Sequence, residues 1–291
     1  MLRLSSRLTG IGLALLAAVF ISVSNVWSGQ FYRDGGNGES LLLLRYLAFL
    51  PLVYLVLRWR GGAVRLPRRD ALNVWTTGAC YAVGGGSLVL AFGRLPVSLV
   101  VLILYLFPFV TLTVESVMAR RVPDWRRLGL MVLAFAGLLL ALGGETAALD
   151  PIGLVFAGLA ALGVGLSFAW TGRYLTHLNS LLLALHMAVV ALVLVVALVL
   201  TTDSLSVPVT GQALQTLAVV VVGFSIAYVA MFAAVQHIGA SGAATLMNLE
   251  PVVTLWLAAL VLGELLVGVQ WAGAAMVVMA VVVYPLLPAR D

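Results

Sequence analysis

Charged side chains are scarce in this sequence. They make up 9% of its 291 residues, whereas a typical soluble chain has about 25%. Hydrophobic residues account for 63% of the chain, and the mean hydropathy is +1.14. So few charges leave too little polar surface to cover a globule that faces water. The composition therefore excludes an ordinary soluble domain and predicts a protein whose solvent is the lipid bilayer.

Cysteine and histidine are also rare, which narrows the possible chemistry. Cys80 is the single cysteine, so the chain has neither an internal disulfide nor a cysteine-based metal site. The histidines His177, His186 and His237 are scattered, and no HExxH motif, GxSxG motif or cluster of aspartates accompanies them. We therefore expect no metal, no cofactor and no catalysis; an intramembrane enzyme is the alternative from another functional class.

What the sequence has in abundance is long apolar stretches separated by short breaks. Because about 20 apolar residues cross a bilayer as a helix, these stretches predict about ten transmembrane helices. The first is interpreted as an uncleaved helix, because it has no clear small-residue cleavage pattern. The stretches are Gly10 to Gly29, Glu39 to Arg58, Ala71 to Phe92, Pro96 to Ala119, Leu128 to Gly143, Pro151 to Gly172, Asn179 to Thr201, Gln212 to Gln236, Ala240 to Gly263 and Gly268 to Leu287.

The distribution of arginine predicts the orientation of these helices. All 16 basic residues are arginines, and they carry no interleaved aromatic pattern that would indicate nucleic-acid binding. Under the positive-inside rule the arginine-rich segments face the cytoplasm, which places both termini there. Those segments contain Arg3, Arg7, Arg58, Arg60, Arg65, Arg68, Arg69, Arg120, Arg121, Arg126, Arg127, Arg173 and Arg290. The opposite segments contain Arg33 and Arg94 with Asp34, Glu39, Glu145, Asp150, Asp203 and Glu264.

The chain repeats itself at an offset of about 143 residues, the spacing between Trp27 and Trp170. This offset aligns WSGQF (27 to 31) with WTGRY (170 to 174), and FPFVT (107 to 111) with EPVVT (250 to 254). We therefore predict an all-α membrane protein of about ten transmembrane helices in two inverted five-helix repeats, residues 1–146 and 147–291. Five is an odd number, so the second repeat must be inverted in the membrane, as in many secondary transporters.

Each repeat has a proline inside a long apolar helix, Pro108 in the first and Pro251 in the second. A proline removes one helical hydrogen bond, and the freed carbonyl needs a partner because lipid offers none. Three residues before each proline lies a polar side chain, Tyr105 or Asn248, on the same helix face. We expect a solute cavity between the halves at this depth; the alternative is that the prolines only bend helices for packing.

Glu250 precedes Pro251 directly, in an otherwise apolar run. An ionised acid at mid-membrane is expensive, so this carboxyl is expected to be neutral, paired or facing water. His186 is a possible partner in proton coupling; alternatively, Glu250 braces the backbone at the proline break. Arg45 is expected to snorkel or to pair with an acid such as Glu39, and Glu115 is expected to pair with Arg120.

Further cavity residues are expected where polar or aromatic side chains lie on glycine-rich helices. The repeat aligns Tyr228 with Gly85, so a bulky side chain on one side meets open space on the other. Glycine also serves close helix packing, which is the alternative role for the glycine-rich segment. The remaining candidates for substrate binding are Asn25, Tyr81, Ser225, Thr245 and Met247.

The repeat, LRYLAF (44 to 49), and NLEPVVTLWLAALVLGE (248 to 264) followed by QWAGAAMVV (270 to 278) resemble the EamA-type drug/metabolite transporter superfamily. The first half departs from the pattern, with Arg120 and Arg121 where a glutamate is expected. Within the superfamily, the chain looks most like the bacterial aromatic amino acid exporters. The resemblance implies a secondary transporter of the inner membrane that exports small amphipathic metabolites such as aromatic or apolar amino acids. The sequence leaves open whether the protein is a monomer or a homodimer. Other metabolites or drugs on the same scaffold are the alternative.

Overall fold

The computed structural model describes residues 2–142, 150–203, 205–262 and 267–287. All regular secondary structure in this part of the chain is helical, and it contains no strand. The helices are α1 (Leu2–Arg33), α2 (Gly38–Trp59), α3 (Arg68–Phe92), α4 (Val97–Leu104), α5 (Phe107–Ala119), α6 (Trp125–Leu142), α7 (Pro151–Tyr174), α8 (Ser180–Thr202), α9 (Gly211–Ile238), α10 (Ala240–Met247), α11 (Leu249–Leu262) and α12 (Gly268–Val283), followed by a 3₁₀ turn at Tyr284–Leu286.

The predicted membrane architecture is confirmed. Within the described residues, nine segments are long and apolar enough to cross a bilayer, and the segment Val97–Ala119 combines α4 with α5. The pair α10 and α11, interrupted at Asn248, forms a further apolar rod. The predicted boundary between residues 146 and 147, the acidic residues Glu145 and Glu264, and Arg290 lie outside the described residues.

The helices alternate in direction and so define two ends of the bundle. We call the end with residues 60–67, 120–124 and 175–179 the arginine face, because most arginines lie there. We call the end with residues 34–37, 93–96 and 205–210 the open face, because a cavity between the two halves opens there. Two contacts support the second grouping. The Ser206 hydroxyl donates to the Gly35 carbonyl oxygen at 2.5 Å, and Arg94 pairs with Asp150, the residue before α7, at 3.1 Å.

Helix packing obeys the repeat seen in the sequence. Under the repeat, α1 corresponds to α7 and α9 corresponds to α3. The α1–α9 pair and the α7–α3 pair both pack extensively. Equivalent residue pairs are in close contact in both halves. A Cβ on Gly223 would lie 2.9 Å from the Phe20 carbonyl oxygen. In the equivalent residue pair of the other half the roles are exchanged, and a Cβ on Gly163 would meet the Cys80 carbonyl oxygen. Glycine at these positions lets the helices approach backbone to backbone.

The helices that contain Pro108 and Pro251 are both interrupted. The first break falls at Tyr105 and Leu106, between α4 and α5, and the second falls at Asn248, between α10 and α11. Proline has no amide hydrogen and its ring clashes with the carbonyl four residues earlier. Those carbonyls belong to Leu104 and Met247, the last residues of α4 and α10, which accounts for the positions of the breaks. The breaks are equivalent under the repeat, because Asn248 follows Tyr105 by the same offset of 143 residues.

Candidate functional site

A cavity of about 480 Å³ lies between the two halves at the level of the helix breaks. It extends from there to the open face, where its wall includes Tyr32 at the end of α1, Phe92 at the end of α3 and Val97 at the start of α4. No described residue from the arginine-face ends of the helices lines it. Its deeper wall is formed by Asn25, Arg45, Tyr46, Tyr81, Tyr105, Phe107, Phe168, Phe224, Tyr228, Met231, Met247, Glu250 and Pro251.

The arginine face is closed beneath this cavity. A Cβ on Gly172 would lie 2.9 Å from the Ala240 Cβ, which shows how tightly α10 packs on α7. The Gln236 amide donates to the carbonyl oxygens of Leu175 (3.2 Å) and Leu178 (3.1 Å), tying α9 to the loop after α7. The described structure is therefore open at one face of the bundle and sealed at the other.

Glu250 lies in the cavity wall with partners from the first half. The Asn25 amide donates to Glu250 Oε1 at 2.8 Å, and the Ser22 hydroxyl donates to the Glu250 backbone carbonyl at 2.8 Å. The Tyr105 hydroxyl lies close to the same carboxylate but makes no hydrogen bond of standard geometry in the described structure. The Asn25 amide satisfies part of the hydrogen-bonding capacity of the buried acid. Together these contacts join α11 to α1 and to the broken segment between α4 and α5.

The predicted approach of His186 to Glu250 is not found in the described residues. His186 lies on α8, where its Nδ1 is 3.0 Å from the Leu182 carbonyl oxygen one turn earlier. It does not line the cavity, because α8 packs on α2 and α3 rather than beside α11.

The position equivalent to the Asn25–Glu250 pair is apolar in the other half. There the repeat places Phe168 and Phe107, whose rings lie 5.4 Å apart between centroids. The same backbone arrangement thus carries a hydrogen-bonded polar pair in one half and an aromatic pair in the other. The cavity consequently has its carboxylate on one side only.

Arg45 supplies the opposite charge. Its Nη2 donates to Ser28 Oγ at 2.7 Å and to Ser24 Oγ at 3.1 Å, and its guanidinium lies 5.3 Å from the centroid of the Phe224 ring. Arg45 therefore binds serines of α1 instead of snorkelling or pairing with Glu39 as expected. Its Nε is buried without a hydrogen-bond partner, so the guanidinium retains an unused donor.

An aromatic cluster lines the same cavity as these two charges. The Tyr81 and Tyr228 rings lie 5.1 Å apart, and the Tyr46 and Phe224 rings lie 5.6 Å apart, both in edge-to-face geometry. Such contacts make a rigid apolar surface. The Tyr228 hydroxyl is buried without a hydrogen-bond partner. Opposite it, Gly85 lines the cavity and has open space where a Cβ would be, as the repeat suggested.

The sequence-predicted site residues divide into two groups. Those that line the cavity are Asn25, Tyr81, Tyr105, Tyr228, Met247, Glu250 and Pro251. Those that do not line it are Ser225, Thr245, Asn248, His186 and Pro108.

Three of the residues outside the cavity bond to their own helices. The Ser225 hydroxyl donates to the Val221 carbonyl and the Thr245 hydroxyl to the Ser241 carbonyl, both at 2.7 Å. The Asn248 amide donates to the Thr245 carbonyl at 3.0 Å and so caps the end of α10. Their polar groups are satisfied by the backbone and do not face the cavity.

Glu115 also has a different partner from the one expected. Its Oε2 accepts the Ser241 amide at 3.2 Å, in the first turn of α10. A carboxylate at a helix N-terminus satisfies free amides and interacts favourably with the helix dipole. Arg127 donates to the Ser241 hydroxyl at 3.3 Å, so both charges attach α10 to the first half at the arginine face.

Sequence reasoning missed Arg45, Tyr46 and Ser28 as cavity residues. A signal was present, because Ser24 and Ser28 are one helical turn apart and Arg45 lies in the next helix, itself an apolar run. No group of three or more metal-binding side chains occurs among the described residues.

Comparison with known proteins shows which fold and which family this architecture matches. A solved structure described only as the crystal structure of a protein is similar with a TM-score of 0.80 over 97% of this chain and 96% of that one, at 16% sequence identity. At that identity the likeness shows the fold alone. No curated protein matches the chain by sequence. The family model described as the EamA-like transporter family matches twice, over residues 8–143 and 151–284, one match to each half. The chain thus belongs to the EamA-like transporter family, as a membrane transporter.

Proposed function

We propose that the protein exports small amphipathic metabolites, foremost amino acids with aromatic or apolar side chains, across the inner membrane by alternating access. The observation that carries this proposal is the cavity of about 480 Å³, which reaches the helix breaks from one face only. Its volume falls within the range of about 300–1,000 Å³ typical of small-molecule sites. Its wall is mainly apolar, with a few polar groups at its deep end.

The asymmetry between the two faces supports alternating access. Because the halves are related by the repeat, exchanging their conformations would seal the open face and open the arginine face. Such an exchange needs no new fold, only a rocking of equivalent elements about the central site. The positive-inside rule places the arginine face in the cytoplasm, so the state described here faces outward and releases solute.

Transport into proteoliposomes tests this function. Counterflow of radiolabelled phenylalanine, leucine, glutamate and lysine is measured with the parent chain and with Tyr105→Ala. We expect uptake of phenylalanine and leucine by the parent and at least a tenfold loss in the variant. Thr201→Ala, exposed at the end of α8, is the matched control and should transport at the parent rate. Absence of uptake of every amino acid would contradict the proposal.

Proton coupling is a separate part of the proposal, with Glu250 as the proton carrier. Asn25, Tyr105 and Arg45 are the polar groups that face this carboxyl, and Tyr81 lies nearby. Counterflow under an imposed pH gradient, with the parent and Glu250→Gln, tests the role. We expect the gradient to accelerate transport by the parent only, and an equal response in both proteins would remove Glu250 from the proton path.

A further inference from the structure

Two opposite charges line one cavity without forming an ion pair. Arg45 and Glu250 both face it, yet no nitrogen–oxygen distance of 4.0 Å or less joins them in the described structure. Attraction between opposite charges grows as the surroundings become less polar. A separated pair in a mainly apolar cavity therefore requires groups that hold the two charges apart.

Helix α1 supplies those groups from adjacent positions. Ser24 and Ser28 accept hydrogen bonds from Arg45, which comes from α2. Asn25 donates to Glu250, which comes from α11 in the other half. Serine oxygens suit a cationic donor and an amide N–H suits an anionic acceptor. One helix thus fixes a cation and an anion in separate places.

Neither charge is saturated by these contacts. In the described structure Arg45 donates to Ser24 and Ser28 through Nη2 alone, and a guanidinium has five N–H donors. Asn25 uses a single carboxylate oxygen of Glu250, Oε1. A guanidinium N–H forms a strong, charge-assisted hydrogen bond with a carboxylate, and a carboxylate oxygen accepts from an ammonium group. The pair is arranged to receive a molecule that carries both charges.

We infer that the cavity selects α-amino acids as zwitterions: the substrate carboxylate binds Arg45, its ammonium group binds Glu250, and its side chain lies on the aromatic wall of Tyr81, Phe224 and Tyr228. This inference rests on the proposed export function and names the groups that recognise its substrate. A solute with a single charge leaves one buried partner unpaired, and sites built for a polar group reject analogues that lack it. Arg45 and Glu250 together therefore disfavour the binding of simple amines and of simple carboxylic acids.

Ligand-induced stabilisation of the full chain in detergent tests the inference, since a ligand raises the Tm according to its affinity. This readout avoids the passive leak of analogues across vesicles. The probes are L-phenylalanine, phenethylamine with the ammonium group alone, and 3-phenylpropanoate with the carboxylate alone; L-leucine, isopentylamine and 4-methylpentanoate form a second series. For the parent we expect each amino acid to bind at least about tenfold more tightly than either of its analogues.

Two variants then shift selectivity in opposite directions. In Arg45→Gln the carboxylate loses its partner, so phenethylamine should bind as tightly as phenylalanine. In Glu250→Gln the same should hold for 3-phenylpropanoate. The matched controls are Arg58→Gln, exposed on the same helix as Arg45, and Glu39→Gln, outside the cavity wall. Both should keep the parental selectivity.

The remaining outcomes distinguish failure of zwitterion selection from failure of the proposed export function. If an amino acid binds but its analogues bind within a factor of two of it, zwitterion selection is wrong while amino-acid export stands. If Arg45→Gln and Glu250→Gln weaken all probes equally, the two residues do not read the charges of the substrate, and the inference fails. If neither amino acid binds and neither is transported, the proposed function fails first and takes this inference with it.

Discussion

Gly29 and Gly172 are equivalent under the repeat, but only Gly172 lies against a neighbouring helix. A Cβ on Gly172 would be 2.9 Å from Ala240, whereas a Cβ on Gly29 would have nothing within 4 Å. The residue equivalent to Ala240 is Val97, which lines the cavity instead. Helix packing agrees, since α10 packs on α7 and α5 far more than α4 packs on α1 and α11 in the described residues. The halves thus share one fold but differ in how they close.

Cysteine cross-linking can detect this difference, because Cys80 is the only native cysteine and can be replaced by alanine. A disulfide needs Cβ atoms about 3.5–4.5 Å apart. An ideal Cβ at position 172 lies 2.9 Å from the Ala240 Cβ, so a small outward shift of α10 brings the pair Gly172→Cys and Ala240→Cys to this distance. We expect this pair to cross-link readily and to arrest transport under oxidation. The pair Gly29→Cys and Val97→Cys should cross-link slowly, in proportion to the population of the opposite state. Mobility on denaturing gels and counterflow before and after oxidation measure both effects.

Each single-cysteine variant is the control for this experiment, and a reductant should restore transport. Substrate should change the two cross-linking rates in opposite directions if the states exchange. Equal and fast cross-linking of both pairs, without substrate, would contradict the closed arginine face described here.

The hydrogen bond from Asn25 to Glu250 predicts energetic coupling between these residues. Removing either partner alone leaves the other buried and unsatisfied, whereas removing both does not add a second penalty. We expect Asn25→Ala and Glu250→Ala to be non-additive in free energy of unfolding by about 0.5–3 kcal/mol. Thermal unfolding of the two single variants and the double variant in detergent gives the coupling.

A second cycle gives the background for that measurement. Asn179→Ala removes the cap of α8 at the arginine face, far from Glu250. Asn179→Ala and Glu250→Ala should be additive within about 0.5 kcal/mol. Coupling of the same size in both cycles would mean that the variants act through a general loss of stability.

The transmembrane segments, the repeat and the helix breaks could be predicted from sequence because their causes are local. A run of apolar residues specifies a membrane helix by itself, and a proline specifies the loss of a hydrogen bond wherever it stands. The family model matches the two halves separately, over residues 8–143 and 151–284, in agreement with the repeat at an offset of about 143 residues.

The roles of Asn248 and Arg45 depend on three-dimensional context, and sequence spacing did not supply it. Tyr105 and Asn248 have the same spacing to their prolines, but Asn248 is itself the residue at the break and bonds to Thr245. A helical-face argument fails where the helix is interrupted. Arg45 near a helix end has the same pattern whether it snorkels or turns inward; Ser24 and Ser28 on a neighbouring helix decide between them.

The ion pair at the open face predicts a pH dependence of stability. The hydrogen bond from Arg94 and the amide of Ile152 lower the pKa of Asp150 below its ordinary value. A depressed carboxyl pKa contributes stability that is complete above the unfolded value of about 3.9 and is lost as the pH falls through the folded value. We expect Tm to fall less between pH 5 and pH 3 for Asp150→Asn than for the parent, and Arg94→Gln should show an intermediate fall. Identical pH profiles for all three would remove this pair from the acid response.

The crossing of α6 and α12 predicts that alanine changes the stability of the fold very differently at two glycines of α6, Gly137 and Gly129. A Cβ on Gly137 would lie 2.6 Å from the Gly273 carbonyl oxygen, and a Cβ on Gly273 would meet the Gly137 carbonyl oxygen. Neither backbone can yield without separating the helices, so Gly137→Ala should destabilise the fold by about 1–3 kcal/mol, as overpacking does. Gly129 on the same helix has nothing within 4 Å of its would-be Cβ, and Gly129→Ala should be neutral or stabilise by up to about 1 kcal/mol through helix propensity. Thermal unfolding and the yield of monodisperse protein compare the two, and equal stability would show that α6 and α12 do not cross at these glycines.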